Sequence, residues 1–156
     1  MIRIQEQDFD IAAELQKLRG SQSSIGAIAN FVGIMRDSNN GKDVSVMTLE
    51  HYPKMAEQIL EGLEQQALQR WNLIDTVIIH RVGKLTPGDN IVLIAVASKH
   101  RHDAFAACEF LIDQLKTAGP FWKQERADGD TRWVEERDSD KLASKRWQRE
   151  TEETSD

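Results

Sequence analysis

The chain is 156 residues long, 40% hydrophobic and 29% charged, the balance of one soluble globular domain built on a single core. No apolar run approaches the roughly 20 residues of a membrane helix. The opening Met1-Ile2-Arg3-Ile4-Gln5-Glu6 lacks the apolar segment of a secretory signal, so the expected location is the cytoplasm. A formal net charge of -6 repels phosphates and argues against nonspecific binding to nucleic acid or acidic membranes, so any anion site must be a local basic cluster.

Ile2 and Ile4 read as a short opening strand, and Asp8 or Asp10 caps a helix that runs through Leu15 and Leu18 and stops at Gly20. After a loop over Ser21 to Ser24, Ile25, Ala27, Ala29 and Phe31 alternate with small or polar residues, the period of a half-buried strand ended by Gly33 and Arg36. A polar stretch with an Asn40-Gly41 turn signal leads to a second strand from Val44 to about His51, and the two strands read as a hairpin with a mobile tip. Pro53 then opens a helix with Met55, Ile59, Leu63 and Ala67 at four-residue spacing, ending near Trp71.

Thr76 to Val82 and Ile91 to Ser98 are strands joined through Pro87-Gly88-Asp89, the second apolar almost throughout and therefore central. Ala104, Ala107, Cys108, Leu111, Ile112 and Leu115 form the clearest helical stripe, stopping before Gly119-Pro120. Phe121 to Glu125 and Thr131 to Val134 flank Asp128-Gly129-Asp130 as a last hairpin. The chain thus divides into a domain over 1–137 and a polar C-terminal arm over 138–156, disordered by its end. Strands and helices interleave, which predicts a single α+β domain.

Cations mark both ends of the third helix: His100-Arg101-His102 at its start and Lys116 in its last turn, with Lys123 following Phe121-Trp122. The helix dipole alone favours a lysine at Lys116, so on that ground a plain cap explains it better than a function does. Lys123 stands in a strand, where lysine is disfavoured, although an outward lysine beside an inward Trp122 is ordinary. Arg101 and its histidines follow a buried strand, where loops gather into ligand sites, and positive charge is mildly unfavourable at a helix start. Arg36 opens the polar loop and could close over an anion, or simply be a solvated turn residue. Cys108 could be a sulfur-carrying nucleophile, but its place on an apolar helical stripe favours a buried, inert thiol.

Several blocks resemble the molybdopterin synthase large-subunit family. They are Phe31-Val32-Gly33 with Arg36, Leu49-Glu50-His51-Tyr52, His80-Arg81-Val82-Gly83, Ser98-Lys99-His100-Arg101, Asp113 to Lys116, Pro120 to Glu125, and Arg132-Trp133-Val134-Glu135. The resemblance runs from about Gly26 to Trp147. It implies an α/β hammerhead with antiparallel sheets packed by helices, and a sulfurtransferase that builds a dithiolene on a cyclic pyranopterin monophosphate. It also implies a homodimer, extended to a heterotetramer by small ubiquitin-like sulfur-carrier subunits whose Gly-Gly termini arrive as thiocarboxylates.

By the same resemblance, Lys116 and Lys123 are the catalytic pair. Ile34, Met35, Arg36, His100, Arg101, Gln124 and Glu125 accompany them in binding the phosphorylated pterin, with Ile34 standing where some members have lysine. No metal or organic cofactor is implied, since molybdenum enters the product afterwards. Two other readings are a noncatalytic module that docks a ubiquitin-like carrier and an RNA-binding domain using Arg101, His100 and Lys123 beside Trp122. The acidic balance argues against the second.

Overall fold

A computed structural model describes residues 1–135 and 137–153. In chain order the elements are β1 (Ile2–Gln5), α1 (Ile11–Arg19), β2 (Ala27–Ile34), β3 (Ser38–Asn39), β4 (Lys42–His51) and α2 (Pro53–Arg70). They continue as β5 (Leu73–Arg81), β6 (Gly83–Leu85), β7 (Asn90–Ser98), α3 (Arg101–Ala118), β8 (Phe121–Ala127), β9 (Asp130–Val134) and α4 (Asp138–Glu153). This is the expected α+β domain. No helix among the described residues is long and apolar enough to cross a membrane.

The first sheet runs β1-β5-β7-β2, antiparallel except for the β1–β5 pair. Its central strand β7 is buried at every position from Val92 to Ser98, as its unbroken apolar run requires. Ala29, Ile78, Ile94 and Val96 face α2 and α3, whereas Val77, Ile79, Leu93, Ala95 and Ala97 face Phe9 and Leu18 on the α1 side. Asp10 caps α1 by accepting from the Ala13 amide at 3.0 Å, which selects it over Asp8.

The second sheet runs β3-β4-β8-β9, with β6 also paired to β4, over a smaller core of Met35, Val44, Met47, Leu49, Leu85 and Ala127. Asp128 and Gly129, at φ 52 and 86, make the tight turn that reverses β8 into β9, as the Asp-Gly signal requires.

Three expectations change. The long strands on either side of the Asn40-Gly41 turn do not form a hairpin: β2 pairs with β7 and β4 with β8, and only the two-residue β3 folds back on β4. The reason is burial on both faces of β2. Ala29 and Phe31 pack into one core and Ile28 and Val32 into the other, and a two-stranded ribbon would leave one of those faces in water.

In α2 the buried row is Ala56, Leu60, Leu63 and Ala67, while Met55 is 41% exposed. A strict four-residue row drifts by about 40° per step on a 3.6-residue helix, so alternating steps of four and three track the core better.

The stretch read as a polar arm forms α4. Its Trp147, only 5% exposed, meets Trp71 and Phe110 edge-on at 5.7 and 5.5 Å. Arg146 adds ion pairs to Glu109 and Asp113 of α3, so the charged helix docks through one aromatic and its neighbours. Disorder is expected by the end of this arm, and its last residues, 154–156, lie outside the described residues.

Candidate active site

The third helix ends at Gly119, whose amide donates to the Leu115 carbonyl at 2.9 Å, and Pro120 leads directly into β8. This junction carries Lys116 on one side and Lys123 on the other. Strand alternation on β8 places Phe121, Lys123, Glu125 and Ala127 on its inner face. Trp122 points outward at 42% exposure, edge-on to Tyr52 at 5.0 Å, the reverse of the ordinary inward tryptophan and outward lysine.

Two anchors set this alternation. Phe121 stacks on His80 with ring centroids 3.8 Å apart and planes within 5°. Glu125, buried, accepts from Asn39 Nδ2 at 2.9 Å and from Arg132 Nη2 at 3.3 Å. Arg137 Nη2 donates to Asn39 Oδ1 at 2.8 Å, tying the start of α4 to the same network.

Between these elements lies a cavity of about 440 Å³. Lys116 and Thr117 border it from α3, Lys123 and Glu125 from β8, and Ile34, Met35 and Arg36 from the end of β2. Asn39, Trp133, Arg137 and Asp140 are among the other residues of its wall.

Burial holds the half-buried Lys123 ammonium below the usual lysine range, and the charge of Lys116 pushes it further the same way. Asp140 and Glu125 oppose that shift. Most of Glu125's charge is already engaged by Asn39 and Arg132. Two ammonium groups thus border one cavity and bear on each other with like charge, a setting suited to an anion.

His80 sits beside them, and burial brings its imidazole down to about 4, so the ring is neutral at physiological pH. Its Nδ1 lies 2.7 Å from the Arg81 carbonyl, which can only accept, so Nδ1 carries the proton. Cys108 lies outside the cavity, and burial raises its thiol to about 11, which fits the inert reading.

The sequence candidates divide into two sets. Lys116, Lys123, Ile34, Met35, Arg36 and Glu125 meet at one cavity. Gln124 occupies the alternate position of β8 and does not border it. His100 and Arg101, both exposed, begin α3 and stand about 22 Å from Lys116 along the helix axis, so one chain does not bring them to its own cavity.

Sequence reasoning missed Asn39, Thr117, Arg137 and Asp140. The signal for the last two was the helical spacing of Asp140, Ala143, Ser144 and Trp147, which gives the charged C-terminal stretch one face to dock.

Residues 4–118 match the family model described as MoaE protein. A molybdopterin synthase catalytic subunit of Ralstonia nicotianae is 55% identical over 94% of this chain and 83% of its own length. Among solved structures, a molybdopterin biosynthesis MoaE protein from Burkholderia ambifaria superposes with a TM-score of 0.81 at 50% identity, covering 94% of this chain and 97% of that one. The molybdopterin synthase of Staphylococcus aureus superposes at 0.77 with 31% identity, over 85% of this chain and 95% of that one. The family match covers most of the chain, and these relatives extend over most of it as well: the chain belongs to the MoaE protein family.

Proposed function

We propose that this chain works as the catalytic subunit of a cytoplasmic molybdopterin synthase, with Lys116 and Lys123 as its catalytic pair. The observation that carries this reading is the Gly119-Pro120 junction, which delivers two lysines to one cavity of about 440 Å³. That volume suits a small ligand. The substrates are anions: a cyclic pterin monophosphate and the thiocarboxylate terminus of a small ubiquitin-like carrier with a Gly-Gly tail. Each sulfur transfer leaves a carboxylate on the carrier, and without cations these groups would repel one another.

Lys116, exposed at the helix end, acts at the reacting carbon as general acid/base or covalent anchor. Lys123, the more buried, holds the carrier terminus and the oxyanion that develops on it. Arg36, with Ile34 and Met35, shapes the phosphate end, and Glu125 braces the wall. His100 and Arg101 are too far from their own cavity, so the reading assigns them to the cavity of the other subunit in a homodimer. With a carrier at each end, that assembly is a heterotetramer. It needs neither nucleic acid nor a membrane.

The test is dithiolene formation from thiocarboxylated carrier and pterin precursor. Lys116→Ala and Lys123→Ala should each lower the rate by about 100-fold or more, while carrier binding persists. Full activity in both variants ends the assignment.

A further inference from the structure

His80 belongs to none of the groups assigned above, yet its ring lies flat on that of Phe121 with centroids 3.8 Å apart. It lies in β5, held by Ile4 of β1 on one side and Val92 of β7 on the other, so its backbone is fixed from both flanks. Phe121, its stacking partner, opens β8 in the second sheet opposite His51. The contact therefore joins the two sheets at the residue that starts the strand bearing Lys123. Phe121 is also two residues past Gly119 and two before Lys123, on the same strand face.

We propose that His80 is a positioning residue for sulfur transfer: its flat ring on Phe121 fixes β8 against the end of α3, and so sets how close Lys123 stands to Lys116. This proposal rests on the reading of the two lysines as the catalytic pair.

The ring has to be uncharged to do this. Lys123 from β8, Lys116 from α3 and His51 from β4 all bear on it with positive or potentially positive charge. An imidazolium would repel all three. Donation from Nδ1 to the Arg81 carbonyl orients the neutral ring flat against Phe121 without placing charge in the stack.

Two variants separate the ring from the hydrogen bond in the full-length chain. His80→Phe keeps a flat neutral ring and loses the donor, whereas His80→Asn keeps an amide donor near Nδ1 and loses the ring. The first measurement is the NMR titration of the Lys123 side chain without carrier or pterin. The second is kcat and carrier KM across pH.

In His80→Asn, Lys123 should titrate closer to an ordinary lysine, the alkaline limb of the rate should move to higher pH, and kcat should fall about tenfold or more with carrier KM unchanged. His80→Phe should restore the Lys123 titration and most of kcat. Phe121→Leu, which removes the ring from the other side of the stack, should reproduce the His80→Asn result.

An unmoved Lys123 titration in His80→Asn or Phe121→Leu overturns the proposal, as does a His80→Phe chain as defective as His80→Asn. The lysine titration needs no turnover, so it stays readable even if Lys116→Ala and Lys123→Ala prove active.

Discussion

Trp147 Nε1 donates to Asp113 Oδ2 at 2.8 Å, and the same oxygen takes Arg146 Nη2 at 2.8 Å, so α4 is fastened to α3 less than one turn before Lys116. The indole also closes an aromatic cluster with Trp71 and Phe110. Trp147→Ala would empty that site and leave Asp113 with Arg146 alone at that oxygen. The expected cost is about 3–5 kcal/mol, read as a lowered urea midpoint with two-state unfolding retained. The rate should fall too, because Asp140 reaches the cavity from the helix that Trp147 docks and Arg137 from the residue just before it. A midpoint within error of the parent would mean that α4 is held from elsewhere.

The junction between the two lysines has no room for a side chain. A Cβ on Gly119 would lie 2.2 Å from the Leu115 carbonyl oxygen and 3.3 Å from the Phe121 ring. Gly119→Ala must therefore displace either the last turn of α3 or the start of β8, at a cost of about 1–3 kcal/mol. Either shift changes the separation of Lys116 and Lys123. Sulfur transfer should fall by about tenfold or more, with melting temperature and rate measured on the same preparation. A normal rate would show that this separation is not what the reaction depends on.

Cys108 is buried on α3, and its thiol is raised to about 11. At pH 8 the native chain should leave a thiol-disulfide reagent unconsumed over the minutes in which an exposed cysteine reacts, then take up one equivalent once guanidinium unfolds it. Fast reaction in the folded state would reopen a chemical role for this sulfur.

The parts of the fold legible in sequence were those with local causes. An aspartate at 8 or 10 caps α1, the apolar run of β7 demands burial on both faces, and Asp128-Gly129 dictates its own turn. The partner of β2 was not legible, because a period of two says which side chains face a core but not which strand lies alongside. The site was half legible for a related reason. The resemblance paired Lys116 with Lys123, and the short turn between α3 and β8 brings both to one cavity, whereas His100 and Arg101 stand at the start of the helix that ends near Lys116 and are separated from it by its length. His80 stood in a block that carries the family resemblance, with no role attached to it. Its partner Phe121 comes from the other sheet, and a contact across sheets leaves no local pattern.

The neutral state of His80 also sets a pH dependence of stability. In the unfolded chain its imidazole titrates near 6.5, and in the folded chain at about 4. Between these values the unfolded chain binds the extra proton, so acid favours unfolding. The contribution is complete above pH 6.5, shrinks as the pH falls, and is gone near pH 4. A shift of this size corresponds to about 3 kcal/mol. Acid also removes the stabilisation carried by carboxylates such as Glu14, which the Arg3 guanidinium holds below the usual carboxylate range. The informative quantity is therefore a difference: guanidinium unfolding free energies at pH 7 and pH 4.5 for the parent chain and for His80→Phe. The parent should lose more stability between the two pH values, by about 2 kcal/mol or more. Equal losses in both chains would mean that the imidazole is charged or solvated in the folded state, and a charged ring would face Lys116 and Lys123 at the stack it shares with Phe121.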